Sequence, residues 1–264
     1  MRLQKAIFRL KIREFTVYRS NVLMNFCFGC VPLFVYILLW KAVYANDFNK
    51  IGGYSYTQII TYYVLVFLCS KILNMRENTI EIADMIQDGS IHNFMLKPID
   101  FMYFNFRMLI GEKVIYLLNI CIPFLLFITV IHKFIYWKSH NIVYFLVSLC
   151  LAFLLKYIIG CILGFLATWI EEISGMLDLW GNIENFLSGG LIPLSLFPEG
   201  IDQVISYMPF KYTLFVPVDI YMGNLERHEI FLAIGIQLIW CISLSIVLIV
   251  TRVKAYRMYS GYGS

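Results

Sequence analysis

Six stretches of this 264-residue chain stay apolar for about 20 residues or more, at roughly 22–45, 56–75, 108–131, 141–169, 177–196 and 229–251. A helix needs about 20 mostly apolar residues to cross the hydrocarbon layer, where water cannot satisfy the backbone. The pattern predicts an all-α integral membrane protein with six transmembrane helices, forming one transmembrane domain over 1–264. Composition closes the alternative. The chain is 60% hydrophobic and 14% charged, with a mean hydropathy of +0.74, against roughly 25% charged residues in soluble domains. A soluble globule could not hide that much apolar surface.

The charges that remain report topology. Lys and Arg accumulate in cytoplasmic connections. With the N-terminus inside, twelve basic residues fall in 1–19, in 76–107 and beyond 251, and five fall outside, at Lys50, Lys133, Lys138, Lys211 and Arg227. The chain therefore reads as N-in/C-in. Its net charge of +4 is scattered between apolar runs, so nucleic acid is not an expected partner. All seven cysteines lie inside apolar runs, which argues against a disulfide framework. The first run is too long for a cleaved signal and lacks a small-residue cleavage site.

Segment 1–19 places Arg2, Lys5, Arg9 and Arg13 in one narrow helical arc. It reads as an amphipathic interfacial helix whose cations meet anionic membrane lipids, as a topogenic positive cluster, or as both. In the connection 76–107, Glu77, Glu81, Asp84 and Asp88 recur at steps of four, three and four, making one acidic helical face. Gly89 reads as a helix stop, and a second short helix ends before Lys97-Pro98. The acidic face is either a docking surface or a solvated one. Segment 186–224 is apolar yet broken by Gly189-Gly190, Pro193, Pro198, Pro209 and Pro217. No straight helix carries those prolines, so one or two short helices should dip into the outer leaflet and return over 197–228.

Some chemistry is missing from the sequence. No G-x-x-x-x-G-K-[ST] phosphate loop occurs. Cys27-x-x-Cys30 sits in an apolar span and reads as two buried thiols. His132 and His140 have no accompanying carboxylate or cysteine, so no metal site is expected. No catalytic constellation stands out, and the chain reads as no enzyme. Lys156 lies mid-way along the fourth run, where a charge costs roughly 2.5–3.5 kcal/mol at the bilayer centre. Either it pairs with Glu184 on the fifth run, or it sits off-centre in a tilted helix.

Taken together, these features resemble the permease subunits of type-2 ABC exporters over nearly the whole chain. The resemblance is carried by I-x-x-G-x-I-x-x-F-M-L-K-P, from Ile86 through Gly89, Ile91 and Phe94 to Pro98, and by LSGGLIPLSLFP at 187–198 followed by MPF at 208–210 and Pro217. It extends to a bacterial subgroup with paired permeases and a separate ATPase. The resemblance implies a multi-pass protein of the bacterial cytoplasmic membrane. It implies two copies of an ABC ATPase as partners, a second permease (the same or a paralogue), and ATP and Mg bound on the ATPase, with no cofactor on this chain. It makes Glu77, Glu81, Asp84, Asp88, Gly89, Leu96, Lys97 and Pro98 the ATPase-coupling segment. Gly189, Gly190, Pro193, Pro198 and Pro209 become an outer lid, and Phe34, Tyr62, Phe67, Phe186 and Leu191 are offered as pathway lining. The implied function is export of a substrate such as a drug, peptide, lipid or other amphiphile by alternating access. The competing reading is a self-sufficient secondary transporter or channel, which would usually carry symmetric interrupted helices or charge relays.

Overall fold

The computed structural model describes residues 24, 28–45, 50–95, 100–131 and 141–261. The predicted interfacial helix 1–19, Cys27, Leu96, Lys97, Pro98, His132 and His140 lie outside them. The elements are helical: α1 (Phe28–Tyr44), α2 (Tyr56–Ile72), α3 (Arg76–Gln87), α4 (His92–Met95), α5 (Phe101–Ile131), α6 (Ile142–Phe165), α7 (Ile173–Leu187), α8 (Glu199–Ser206), α9 (Pro209–Thr213), α10 (Phe215–Met222) and α11 (Arg227–Gly261). Among the described residues, three helical stretches are long and apolar enough to cross a membrane: Tyr56–Gln87, Ile142–Thr168 and Arg227–Met258. The first contains a break at 73–75 between α2 and α3.

The fold divides into two units, one drawn from Met1–Phe67 and Asn93–Tyr136, the other from Leu68–His92 and Trp137–Ser264. In the first, a tight turn precedes α2, in which Ile51 and Tyr54 exchange both backbone hydrogen bonds at 3.0 Å. Aromatic side chains hold α1 against α2 and this turn. Tyr36 stacks on Tyr63 with ring centroids 4.2 Å apart, and the Tyr44 hydroxyl donates to the Tyr54 carbonyl at 2.6 Å. Helix α5 begins seven residues before the predicted span at 108. Asp100 explains the early start, because its carboxylate accepts the Tyr103 N–H at 3.1 Å and caps the first turn.

The second unit is built around α6. Its cytoplasm-proximal half in the predicted orientation, Tyr157 to Phe165, is buried at nearly every position, with Ile162 the exception. Helices α3, α9, α10 and α11 pack around it. Helix α10 is mostly apolar and enclosed, with seven of its eight residues buried, among them Asp219, whose carboxylate accepts from the Asn224 side-chain amide at 2.6 Å. Helix α11 turns one stripe to α6 and exposes Phe231, Ile239, Ile242, Ile246 and Ile249 on the other side, the distribution expected of a helix facing lipid tails. A buried polar clasp joins three elements. The fully buried Gln237 donates to the carbonyls of Ser148 and Tyr212 at 3.2 and 2.9 Å and accepts from the Ser148 hydroxyl at 3.0 Å. Every polar atom of the Gln237 amide has a partner, as burial demands.

The stretch after α6 differs from expectation in its bounds. The predicted span 177–196 is not one continuous helix: α7 starts at Ile173 and stops at Leu187. Gly189 causes the stop. It adopts φ +83°, which suits a residue without a Cβ, and the Gly190 N–H returns to the Asn185 carbonyl at 2.9 Å. Fifteen residues reach about 22 Å as a helix, short of a hydrocarbon layer about 30 Å thick. Beyond it come three short helices, α8 to α10, rather than one or two. The prolines set their starts: Pro198 precedes α8 and Pro209 is the first residue of α9, positions that need no backbone N–H.

Candidate functional site

Helix α3 is the hub of the second unit's polar region. Its sequence RENTIEIADMIQ alternates at helical spacing, so Thr79, Ile82, Ala83 and Ile86 are buried together while Glu77, Glu81, Asp84 and Asp88 are all exposed on the other side. What receives the buried face is a pair of glycines one turn apart on α6. A Cβ added at Gly160 would lie 2.8 Å from the Thr79 hydroxyl, and one at Gly164 would lie 2.9 Å from the Ile82 side chain and 3.1 Å from the Thr79 carbonyl. The bare glycine backbones are what allow the close approach.

Polar contacts fix α3 at both ends. At its start, Arg76 Nη1 lies 2.7 Å from Asp178 Oδ1 on α7. At its finish, the Gln87 side-chain amide donates to the Glu171 carbonyl at 2.6 Å, just before α7. The chain then leaves through the left-handed Gly89, at φ +75°. Asp88 accepts the Ser90 N–H at 2.8 Å. That bond, with one from the Ser90 hydroxyl, holds the exposed Asp88 carboxyl below the usual carboxylate range. The acidic face is therefore charged to its last turn.

Beside α3 lies an open cleft of about 350 Å³. Two matched stripes form its walls. Lys156, Ile159, Gly160 and Leu163 come from α6; Leu177, Trp180, Gly181 and Glu184 come from α7. Each stripe has the i, i+3, i+4, i+7 spacing that places four side chains on one face. The last turn of α2 adds Ser70 and Lys71, and the first turn of α3 adds Arg76 and Thr79. Lys156 Nζ stands 2.9 Å from Glu184 Oε1, with side chains only 20% and 13% exposed. This is an ion pair by distance without hydrogen-bond alignment, since Glu184 Oε1 receives no angled bond.

The residues singled out from sequence fall in several places. Lys156 and Glu184 are brought together. Gly189, Gly190 and Pro193 are buried in the turn after α7, whereas Pro198 is exposed. An added Cβ at Gly190 would run into the Asn185 side chain. Of the lining candidates in the first unit, Phe34 is exposed, Phe67 is half-buried, and Tyr62 is fully buried beside Tyr54 and Tyr63. In the second unit, Phe186 and Leu191 are exposed, and Phe186 packs edge-on to Phe197. Sequence reasoning missed the cleft as a unit, above all Arg76, Thr79 and Trp180. The matched stripes on 156–163 and 177–184 were the available signal.

A model of the ABC-2 family transporter proteins matches residues 30–263. The chain belongs to this family. It is a multi-pass membrane component, the permease part, of an ABC transporter. No curated protein matches the chain. The match spans both units, so the α3 region, the α6–α7 cleft and the short helices α8 to α10 are all parts of an ABC-2 membrane domain.

Proposed function

We infer that this permease exports its substrate across a bacterial cytoplasmic membrane, driven by a separate ATPase that docks on α3. The reading has the chain crossing six times, N-in/C-in, in a dimer with a second permease, the same or a paralogue. Two ATPase copies carry the ATP and Mg. The absence of a phosphate loop from the sequence accords with hydrolysis on another polypeptide. The observation that carries the proposal is the two-sidedness of α3. One face is locked into the glycines of α6, and the opposite face presents four exposed carboxylates. A force applied to the acidic face would pass directly to α6 through Thr79 and Ile82, and to α7 through the Arg76–Asp178 pair.

The short helices α8 to α10 would cap the route on the outer side, with the Gly189-Gly190 turn as the joint. Lys211 supports the cap locally, reaching Asp202 at 2.9 Å and the Ser206 hydroxyl at 2.7 Å. The test is a gentle detergent purification of the tagged chain from its native cell, with mass spectrometry of what remains bound. A stoichiometric ATPase supports the proposal. In the same complex, Glu81→Lys with Asp84→Lys should abolish substrate-linked ATP hydrolysis while insertion stays intact. A chain that purifies alone and transports by itself would instead establish a self-sufficient transporter or channel.

A further inference from the structure

Helix α7 is held lightly within the second unit. Of its 15 residues only Ile173 and Leu177 are buried, whereas most of the last nine residues of α6 are. Both lie near the start of α7. Beyond them the helix stands off α6 across the cleft of about 350 Å³, and a Cβ added at Gly181, on its wall, would meet nothing within 4 Å. Helix α3 sits differently, so close to Gly160 and Gly164 that a Cβ at either would collide with it. Packed interiors leave few gaps larger than a water molecule. By that measure α3 and α6 form one solid piece, and α7 is a separate rod beside it.

The rod is tied by different means at its two ends. Near its finish, Glu184 meets Lys156 of α6 at 2.9 Å, and the chain then turns back through the buried Ser188, Gly189 and Gly190. The ion pair lacks hydrogen-bond alignment, so it survives a rotation that would break a directional bond. Near its start, the tie is the 2.7 Å Arg76–Asp178 pair, with side chains 43% and 64% exposed, and exposed pairs are weak. Residues 169–172 belong to no helix, so the chain feeding α7 can follow a movement; the Gln87 bond to the Glu171 carbonyl holds this link rather than the helix. Trp180 rests on the Phe210 ring of α9 with centroids 5.3 Å apart, an apolar contact that can slide. We propose that α7 is a gate, hinged at Lys156–Glu184 and the Gly189 turn, and latched to α3 at its other end by Arg76–Asp178. Releasing the latch widens the cleft between Leu163 and Leu177 while the Glu184 end stays in place. This deepens the permease reading, and it rests on that reading only for what releases the latch, namely a partner pulling on α3.

The test uses the full-length chain, with whatever copurifies, in lipid nanodiscs and with its seven native cysteines replaced by alanine. Nitroxide pairs at Ser174 and Leu166, either side of the 169–172 link, and at Phe186 and Leu154, beside the hinge pair, are read by dipolar electron paramagnetic resonance. Ser174 lies about 15 Å along the helix from Glu184 and Phe186 about 3 Å. A rigid swing of about 20° therefore moves the first by about 5 Å and the second by about 1 Å. Arg76→Glu sets two carboxylates against each other at the latch, and it should lengthen Ser174–Leu166 by about 5 Å with Phe186–Leu154 changed by no more than about 1 Å. Exchanging the charges, Arg76→Glu with Asp178→Arg, should return both distances. Asp178→Asn unties the latch without repulsion and should broaden the Ser174–Leu166 distribution alone. Adding Lys156→Gln and Glu184→Gln to Arg76→Glu removes the ion pair from the hinge, and Phe186–Leu154 should then lengthen too; an unmoved distance there would overturn the hinge. Equal lengthening of both distances in Arg76→Glu would overturn the swing in favour of a helix that detaches whole. A Ser174–Leu166 distance unmoved in both Arg76→Glu and Asp178→Asn, or no recovery on charge exchange, would overturn the latch. These variants act without an ATPase, so its retention or loss in the same preparations judges the docking reading separately.

Discussion

Replacing Lys156 alone should cost this protein more stability than replacing Lys156 and Glu184 together would suggest. The two charges lie 2.9 Å apart and are 20% and 13% exposed. At that separation, with an effective dielectric constant of 20, their gross attraction is about 6 kcal/mol. Desolvation of both ions consumes most of it, so the intact pair adds little net stability. Breaking it is different. Lys156→Met strands a mostly buried carboxylate on α7, and such single removals cost about 3–5 kcal/mol. Glu184→Gln strands the ammonium and should cost a similar amount, less whatever the cleft's open side returns as hydration. The double variant removes both charges and should recover about 2–3 kcal/mol relative to the sum of the singles, a coupling typical of contacting residues. The assay is denaturant unfolding of the purified protein in a mild detergent, followed by near-ultraviolet circular dichroism. Single variants within about 0.5 kcal/mol of wild type, or a strictly additive double variant, would refute the pairing as an energetic unit.

The other expectations are simpler. Gly164→Val should destabilise by about 1–3 kcal/mol, because its first carbon already meets Ile82 at 2.9 Å; Gly235→Ala, with nothing within 4 Å of the new carbon, should match or slightly exceed wild type in the same unfolding experiment. Gln237→Leu removes the partner of the buried Ser148 hydroxyl and a donor to the Tyr212 carbonyl and should cost about 1–3 kcal/mol, with faster hydrogen exchange across α9 as the local signature. Gly189→Leu with Gly190→Leu places a side chain at φ +83° and another against Asn185; transport assays should show loss of activity with assembly, measured by copurification, retained.

The lipid-facing character of this chain was legible without coordinates, because apolar run length is itself the physical quantity that lipid selects. The acidic face of α3 was equally legible. A period of three and four residues decides which side chains share a helical face before anything packs against it. Lys156 and Glu184 could be matched in sequence only by charge and approximate depth. Their 2.9 Å approach depends on how α6 and α7 turn about their axes, which no local pattern encodes.

The end of α7 shows the limit from the other side. Hydropathy carried the predicted helix to 196, since Leu191, Ile192 and Leu194 are as apolar as any span. Backbone conformation at Gly189 stopped it at Leu187. Likewise, Gly160 and Gly164 look in sequence like ordinary small residues of a membrane helix. That they form the seat of α3 was decided by tertiary structure, because close approach needs a partner whose Thr79 and Ile82 arrive from 81 or more residues away along the chain. Sequence alone determined where the chain must be apolar and which helical faces must be charged. Only the fold decided which faces meet, and so where the donors of Arg76 and Lys156 gather into one cleft.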